Sequence, residues 1–375
     1  MAPARLPERV ALVLGGGGLK GFAHIGAFRA LEERGVRPTL VAGTSIGALL
    51  AAAYAGGMSV DEMERRALAV RKKDLFQLDR IHMVTRRMLS PSLYLPGPLE
   101  QLVGNIVPKG TFRDLKFPLL VNTVDLERAA PVVWGLPGLM DVPIADAVYA
   151  SCALPGFYPP RVIEGRTCAD GGVIENLPTT IASYGMDAVI AIDVGSTNMA
   201  TAKGIKDKGF AAIFMRAAQT MMRTLQLDAL ARWSGPPLLL VRPEVWQYHW
   251  FSFTHTRQMI DAGYAGMHDA LDRAGDSLLG KGGVYPRRDV EVAIDRELCS
   301  GCRLCAVLAP GLITMDESGK AVVTQATAEW SRADGDFVHR CPTKAISVTA
   351  LRGDERRVTM EWRTAPDDDD PIASD

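Results

Sequence analysis

The sequence predicts an α/β protein in three αβα layers, with a mostly parallel sheet, followed by a small α+β domain. Short β-rich runs alternate with helical stretches from Arg9 to about Ser196, which is the pattern of strands joined by crossover helices. Glycine-rich turns follow the first two runs, where a strand would give way to a helix. Four of the six cysteines lie between Cys299 and Cys341, in a chain of 375 residues that is long enough for about two domains.

The elements follow from the spacing of apolar residues. Short apolar and β-branched runs predict strands at 9–14, 38–43, 117–124, 130–134, 160–163, 187–194 and 237–242. Helical periodicity predicts helices at 21–34, 46–56, 60–72, 176–185, 208–233 and 255–274. Two further strand-like segments, 290–295 and 345–350, flank the clustered cysteines.

Composition divides the chain into four segments. Residues 1–274 make up the α/β domain. Residues 275–288 mix Gly, Pro and charge, which is typical of a linker. Residues 289–351 hold the clustered cysteines, and residues 352–375 include four consecutive aspartates, which predicts a solvated, disordered tail.

Charge and hydropathy argue against several classes of protein. Lys and Arg number 42 against 43 Asp and Glu, so the basic excess that neutralises phosphates is missing and we expect no nucleic-acid partner. The N-terminus has no apolar region of signal-peptide length. The longest apolar stretch, 40–57, is interrupted by Gly and hydroxyl residues and is too short for a membrane span. We therefore expect a cytoplasmic protein that contacts a membrane, if at all, as a peripheral protein.

The first predicted strand ends in the glycine-rich segment GGGGLKG, residues 15–21. Bare backbone N–H groups at a helix N-terminus can hold negative charge. Gly16, Gly18 and Gly21 satisfy the G-x-G-x-x-G pattern of dinucleotide-binding folds, but that interpretation needs an acidic residue at the end of the second strand. The second strand ends in GTSIG instead, so the sequence disfavours a dinucleotide site.

The GTSIG segment matches the G-x-S-x-G pattern of a nucleophile elbow. Gly43 and Gly47 have no Cβ, so the chain can turn sharply and project the Ser45 hydroxyl at a helix N-terminus. Glycine accounts for 36 residues, so a chance match is a genuine alternative. The strand–turn–helix context favours the catalytic interpretation.

A base for the serine must come from elsewhere in the chain. The six histidines are scattered and none stands in a motif. The conspicuous carboxylate is Asp170, in the segment CADGG with Gly171 and Gly172 behind it. An ordinary Asp-Gly turn would be the preferred interpretation if this segment stood alone.

Together these motifs resemble those of patatin-like phospholipase domains of the bacterial type, over residues 9 to about 274. GGGGLKG is similar to the family's glycine-rich oxyanion segment, including its basic residue at Lys20. GTSIG is similar to its nucleophile elbow, and DGG to its D-G-G/A motif. The three motifs stand in the family's order.

The resemblance implies a patatin-like αβα hydrolase with a Ser–Asp dyad and no histidine. Ser45 would attack an ester carbonyl while Asp170 takes its proton. Backbone N–H groups of the glycine loop would stabilise the oxyanion, with Lys20 supporting the loop. The residues implied in that oxyanion hole are Gly16, Gly17 and Gly18. The implied substrate is a phospholipid or another acyl ester, and acyl transfer to an acceptor other than water uses the same residues and stays open.

Two segments rich in adaptable hydrophobes, 81–102 and 208–233, are candidates for the lipid-binding surface. They could line an acyl groove or lie on a membrane. Plain core packing is the ordinary alternative for such stripes, so the sequence leaves peripheral membrane contact open.

The clustered cysteines have the spacing of a bacterial-type [4Fe–4S] site. Cys299, Cys302 and Cys305 are three positions apart, and Cys341-Pro follows after 35 residues. Structural zinc is the alternative, although zinc sites usually pair two C-x2-C knuckles. Residues 290–350 resemble a single-cluster ferredoxin domain, which implies one [4Fe–4S] cluster held by these four thiolates.

The role of such a cluster stays open at this point. It could sense redox state or oxygen and gate Ser45, pass electrons to a redox partner protein, or brace the C-terminus. The alternative from another class is an electron-transfer protein whose hydrolase fold is a lipid-binding scaffold. A scaffold, however, has no physical need for the glycine loop, Ser45 and Asp170 together.

Overall fold

A nine-stranded sheet, mostly parallel, forms the centre of the computed structural model, which describes residues 4–78, 92–195, 204–331 and 333–351. Its strands are β1 Val10–Leu14, β2 Leu40–Thr44, β3 Leu119–Asp125, β4 Ala130–Trp134, β5 Arg161–Ile163, β6 Arg166–Asp170, β7 Ala188–Ile192, β8 Pro237–Val241 and β9 Gly283–Tyr285. They lie in the order β5-β6-β3-β2-β1-β7-β8-β9, and β4 pairs with β3. Strands β3, β2, β1, β7, β8 and β9 pair in parallel. Strands β4 and β6 pair with β3 in antiparallel, and β5 pairs with β6 in antiparallel.

Helices cover both faces of this sheet. They are α1 Ala23–Glu33, α2 Ile46–Ala55, α3 Val60–Ala69, α4 Pro96–Ile106, α5 Ile144–Cys152, α6 Thr179–Ala182, α7 Gly209–Ala231 and α8 Thr256–Ala274. Leu12 and Leu14 of β1 point into a large core with α1, α2 and α8. Ala11 and Val13, which alternate with them, point into a second core beside α6 and α7. The predicted three-layer αβα arrangement is therefore confirmed.

The last part of the described chain is a small α+β unit, called the cysteine module here. Its strands are β10 Arg287–Ile294, β11 Ile313–Met315, β12 Ala321–Val323, β13 Thr327–Ser331 and β14 Ile346–Ala350, and its helices are α9 Leu304–Leu308 and α10 Asp336–His339. A three-stranded sheet runs β13-β10-β14, and β11 and β12 form a hairpin. Cys299 and Cys305 belong to its own hydrophobic core.

The structure adds elements that the sequence patterns did not reveal. Helices α4 and α5 and strand β6 were not predicted as such. The expected linker, 275–288, contains β9, because Val284 is buried and pairs with Leu238 at the edge of the main sheet. The domain boundaries themselves stay a prediction. The expected tail at 352–375 and residues 81–91 of the first lipid-binding candidate lie outside the described residues.

Candidate active site

Ser45 occupies a strained turn between β2 and α2. Its φ of 55° and ψ of −127° lie in a region that residues with a Cβ rarely adopt. The flanking glycines make the turn possible: a Cβ on Gly43 would lie 2.5 Å from the Gly47 carbonyl carbon, and one on Gly47 would lie 2.2 Å from the Leu14 oxygen. The predicted sharp turn is therefore present, and it places Ser45 at the N-terminus of α2.

A buried serine on α5 holds this turn in place. The backbone N–H of Ser45 donates to Ser151 Oγ at 2.9 Å, and the Ser151 hydroxyl donates to the Asn122 carbonyl at 2.7 Å. Ser151 is fully buried, so these bonds replace contacts with water. The contact joins residues 106 positions apart, which no local pattern in the sequence reveals.

Asp170 ends β6 and faces Ser45. Its carboxyl is buried and accepts the Gly172 N–H at 2.8 Å, and the Ser45 hydroxyl is close enough to influence its pKa. Burial raises the pKa of Asp170 to about 6, although the Gly172 N–H and the Ser45 hydroxyl act in the opposite direction. Asp170 is therefore a stronger base than an ordinary aspartate.

The glycine loop after β1 is clamped from one side by Asn176. The Asn176 carbonyl accepts the Gly16 N–H at 3.2 Å, and the Asn176 side-chain amide donates to the Gly16 carbonyl at 3.1 Å. A Cβ on Gly16 would lie 3.2 Å from the Ser45 Cβ, so the loop runs directly past the nucleophile. Asn176 stood in the sequence segment NLP, but no motif assigned it this role.

The next two residues of the loop present backbone N–H groups. Gly17 and Gly18 stand at the start of a 3-10 helix, Gly18–Phe22, where N–H groups have no acceptor within the helix, and no acceptor elsewhere in the described chain takes them. Gly18 has φ +58°, and a Cβ there would lie 2.4 Å from the Trp250 carbonyl. Both residues line the same cavity as Ser45. Of the three predicted loop residues, Gly16 thus donates its N–H to the Asn176 carbonyl, whereas no described acceptor takes the N–H groups of Gly17 and Gly18.

Other motif glycines also permit close packing. A Cβ on Gly21 would lie 2.3 Å from the Ile46 side chain, and one on Gly171 would lie 2.6 Å from the Asn122 amide. A Cβ on Gly172 would lie 2.9 Å from the Met222 methyl group. The glycines of the motifs therefore pack the loop, the elbow and the aspartate turn against one another.

Lys20 lies behind the glycine loop rather than beside the dyad. Its ammonium is buried and donates to the Gly195 carbonyl at 3.3 Å. Burial lowers its pKa to about 8, against the attraction of Asp193. Asp193 in turn pairs with the buried Arg242, with the Nε and Oδ2 atoms 3.2 Å apart. These charges connect the loop to the end of β7.

His24, which follows the glycine loop in the sequence, does not line the cavity around Ser45 and Asp170. His24 is fully buried, its Nε2 lies 2.9 Å from the Gly15 oxygen, and burial lowers its pKa to about 4. It is therefore neutral at physiological pH. No histidine lines the cavity within the described residues.

Ser45, Asp170 and the glycine loop open into one cavity of about 590 Å³. Its walls are mainly aliphatic and aromatic, and Arg66 and Lys73 contribute the positive charges. The apolar wall includes Leu49, Met63, Phe76, Leu99, Leu102, Phe157, Tyr158, Met222 and Phe251. Both lipid-binding candidates contribute, through Leu102 and Met222. The volume and lining are those of a small-molecule site with few polar groups.

Helix α7, from the second candidate segment, also has an exposed apolar face. Among its side chains, Ile213, Phe214, Met221 and Leu225 are each at least 46% exposed. No described helix is both long and apolar enough to cross a membrane.

The four clustered cysteines line one small cavity of the cysteine module. The Ala345 N–H donates to Cys341 Sγ at 3.3 Å, and N–H groups of Ala321 and Gly301 lower the pKa of Cys299, which favours its thiolate. Burial raises the pKa of Cys305.

This cavity fits an iron–sulfur cluster. No three His, Cys, Asp or Glu side chains of the described chain converge on a single metal ion. A four-iron cluster has no such need, since each thiolate binds a different iron. N–H groups directed at the sulfurs are the contacts that such clusters receive from proteins.

Two family models match the chain. Residues 12–183 match the model described as patatin-like phospholipase, and residues 292–348 match the model described as 4Fe-4S single cluster domain. Residues 12–183 are thus similar to patatin-like phospholipases and have the expected α/β fold, and the second match indicates an iron–sulfur cofactor.

Curated relatives match parts of the chain. An uncharacterized NTE family protein of Mycobacterium tuberculosis is 33% identical over 201 residues, which is 52% of this chain and 51% of the relative. Patatin-like phospholipase domain-containing protein 6 of Mus musculus is 37% identical over 190 residues, 50% of this chain and 14% of the relative. The chain spans about half the length of the mycobacterial relative. Among solved structures, VipD from Legionella pneumophila has a TM-score of 0.38 and 16% identity, covering 71% of this chain and 67% of that one.

Proposed function

We propose that this chain, which contains a patatin-like phospholipase domain, is a serine acyl hydrolase that acts on lipid esters. The observation that carries the proposal is the position of the Ser45 hydroxyl, within reach of the buried Asp170 carboxyl and beside two N–H groups without an acceptor in the described chain. All of these groups line one largely apolar cavity. A nucleophile, a base, oxyanion donors and an acyl-binding wall are the parts that acyl transfer needs.

In the proposed first step, Ser45 Oγ attacks the ester carbonyl carbon and its proton passes to Asp170. The N–H groups of Gly17 and Gly18 stabilise the negative charge that develops on the carbonyl oxygen, and Gly16 keeps them in place through Asn176. The tetrahedral intermediate then expels the alcohol, which takes the proton from Asp170. Ser45 is left as an acyl ester.

In the second step, water attacks this ester while Asp170 accepts one of its protons. The intermediate collapses, the proton returns to Ser45 Oγ, and the fatty acid leaves. Asp170 acts as a base in each attack and as an acid in each collapse. A pKa of about 6 suits both roles near neutral pH.

The cavity supports a lipid substrate. Its aliphatic and aromatic wall would bind an acyl chain. Helix α7 lines the cavity through Met222 and also has an exposed apolar face. Lys206 and Lys208, which are both exposed, precede this helix. We propose peripheral membrane contact through this face, because apolar side chains beside lysines suit an anionic lipid surface.

We propose that residues 289–351 hold one [4Fe–4S] cluster through Cys299, Cys302, Cys305 and Cys341. Such a cluster supplies one-electron redox chemistry when bound. Its role would be redox sensing or electron transfer, with a redox partner protein in the second case. The hydrolase would then occupy residues 1–274.

The test is hydrolysis of a long-chain ester and of phospholipid vesicles by anaerobically purified protein, with Ser45→Ala as the variant. Ser183→Ala is the matched control, since its hydroxyl bonds only within α6 and its flank. We expect Ser45→Ala to lose activity by at least about 10³-fold and the control to keep it. A fluorophosphonate should label wild type and control but not Ser45→Ala. An unlabelled, inactive wild-type protein would contradict the proposal.

A further inference from the structure

We propose that helix α7 couples the cysteine module to Asp170, and that Met222 is the residue that positions the aspartate. This inference rests on the proposed function, because it assigns Asp170 its catalytic role. It concerns how the two halves of the chain communicate, which neither family match addresses. Three observations support it.

The first set joins α7 to the aspartate turn. The 3-10 helix Gly171–Val173, directly after Asp170, contacts α7. The Met222 methyl group packs on Gly172 so closely that a Cβ there would lie 2.9 Å from it. Gly172 is also the residue whose N–H holds Asp170 Oδ1 at 2.8 Å. Met222 is 6% exposed and lines the cavity, so its side chain lies between α7 and the aspartate turn.

The second set joins α7 to the cysteine module. Helix α10 contacts α7 and also contacts α9, which contains Cys305. Cys341 follows α10 closely, and its N–H donates to the Val338 carbonyl at 3.4 Å. Phe337 and Val338 lie in the core that contains Cys299 and Cys305. A group bound by the cysteines would therefore fix α10, and α10 abuts α7.

A buried contact reinforces this connection. Ala333, just before α10, is 2% exposed and packs in the hydrophobic core that contains Leu230 of α7 and Leu177. The two halves of the chain thus share a core at the C-terminal end of α7. Leu177 follows Asn176, which clamps the glycine loop, so the same core also borders that clamp.

The third observation is that α7 has exposed apolar side chains along one face. Ile213, Met221 and Leu225 are each at least 46% exposed. Packed helices can shift as rigid bodies by an ångström or two when their neighbours change. Such a shift at Met222 would move the Gly172 N–H and with it Asp170, and small displacements of a catalytic base reduce rates strongly.

The proposal predicts that a group bound by the four cysteines increases hydrolysis. With the cysteines occupied, α10 is fixed, Met222 presses on Gly172, and Asp170 faces Ser45. Without the bound group, Cys341 and α10 are released and Asp170 is held less well. Allosteric couplings of this kind change affinity or activity by about 5- to 150-fold.

The experiment compares adjacent methionines in full-length protein. Met222→Ala removes the contact with Gly172, and Met222→Leu keeps most of it. Met221→Ala is the control, since it truncates the adjacent, exposed side chain. Each protein is prepared anaerobically with its cluster, then freed of iron with a chelator, then reconstituted with iron and sulfide. Hydrogen exchange of peptides covering 170–176 and 209–231 is measured in all three states, together with ester hydrolysis.

We expect iron removal to speed exchange in both peptides and to reduce hydrolysis at least fivefold in wild type, Met221→Ala and Met222→Leu, with recovery on reconstitution. In Met222→Ala, the loaded and iron-free proteins should hydrolyse at equal rates and exchange equally at 170–176. Unchanged exchange in wild type, or identical behaviour of the Met221→Ala and Met222→Ala variants, would overturn the coupling. Exchange does not depend on turnover, so an inactive wild type with responsive exchange would contradict the hydrolase and leave the coupling supported.

Discussion

Ser45 and Asp170 meet because the strands that carry them pair with consecutive residues of a third strand. Thr44, at the end of β2, pairs with Asn122 in parallel, and Asp170, at the end of β6, pairs with the adjacent Thr123 in antiparallel. The two strands therefore approach β3 from opposite directions and end at the same point. Backbone pairing in the sheet therefore brings the nucleophile and the base to the same point along β3.

The first prediction concerns the pH dependence of hydrolysis. Asp170 must be ionised to accept the Ser45 proton, and its pKa is raised to about 6 by burial. We expect kcat/KM for a neutral ester to fall about tenfold per pH unit below pH 6. An acid limb near pH 4, where an ordinary aspartate titrates, would contradict the assignment of Asp170 as the base.

The second prediction is that Asp170→Asn stabilises the protein while it abolishes hydrolysis. Because the pKa of Asp170 is raised in the folded state, the unfolded chain loses its proton first as pH rises from about 4 to 6, and stability falls over that window. Because the pKa of Asp170 rises to about 6, its ionisation lowers the free energy of unfolding by about 3 kcal/mol above pH 6. Asparagine can still accept the Gly172 N–H but never ionises.

Chemical denaturation of both proteins at pH 8 and pH 4 measures this difference. The free energy of unfolding of Asp170→Asn should exceed that of wild type at pH 8 by up to about 3 kcal/mol and approach it at pH 4. Equal stability of the two proteins at pH 8 would contradict this prediction, because it would show that ionisation of the Asp170 carboxyl does not destabilise the folded state.

The sequence was sufficient for residues whose role depends on local geometry. Ser45 needs glycines on either side of a sharp turn, and that requirement is visible as G-x-S-x-G. Most strands of the parallel sheet were also predictable, because a strand buried on both faces is a continuous apolar run. Strand β6 was not, since its sequence RTCAD is short and mixed, and only its pairing with β3 and β5 makes it a strand.

Residues that act through distant partners could not be predicted. Asn176 holds the glycine loop 160 positions away, and Ser151 holds Ser45 from 106 positions away. Neither has a side chain or a spacing that sets it apart in the sequence. Likewise, the contact of Met222 with Gly172 depends on how α7 packs, and the apolar pattern of α7 fits core, groove and membrane surface alike.

The third prediction tests whether hydrolysis depends on the position of the glycine loop or is lost through backbone strain alone. Gly18→Ala would place a Cβ 2.4 Å from the Trp250 carbonyl at φ +58°, so the loop must move and its free N–H groups with it. Loss of one oxyanion donor costs about 10²- to 10³-fold in kcat, and we expect a loss of that size. The measurement is steady-state hydrolysis of a long-chain ester.

Gly35→Ala is the matched control for this variant. Gly35 has φ +67°, but no atom lies within 4 Å of the Cβ position. Both variants therefore carry the cost of a left-handed alanine, and only Gly18→Ala displaces the loop. Equal loss of activity in the two would mean that strain alone, and not the position of Gly17 and Gly18, explains the effect.

The fourth prediction is that Ser151→Ala weakens the elbow. The substitution removes the hydroxyl that bonds the Ser45 N–H and the carbonyl of the buried Asn122, which costs about 1–3 kcal/mol of stability. Because Ser45 is held in a strained conformation, kcat should fall while KM stays nearly constant. A variant as stable and active as Ser183→Ala would show that α2 alone holds the turn.

The last prediction concerns the six cysteines, which the structure divides into two groups. Cys299, Cys302, Cys305 and Cys341 line one cavity, whereas Cys152 and Cys168 lie in the patatin-like domain, where burial raises the pKa of both thiols. Serine substitution of any residue in the first group should reduce bound iron and visible absorbance after anaerobic purification. Cys152→Ser and Cys168→Ser should retain both, because neither thiol lines the cavity of the cysteine module. If a Cys152 or Cys168 variant lost iron to the same extent, the cavity of the cysteine module would not be the cluster site.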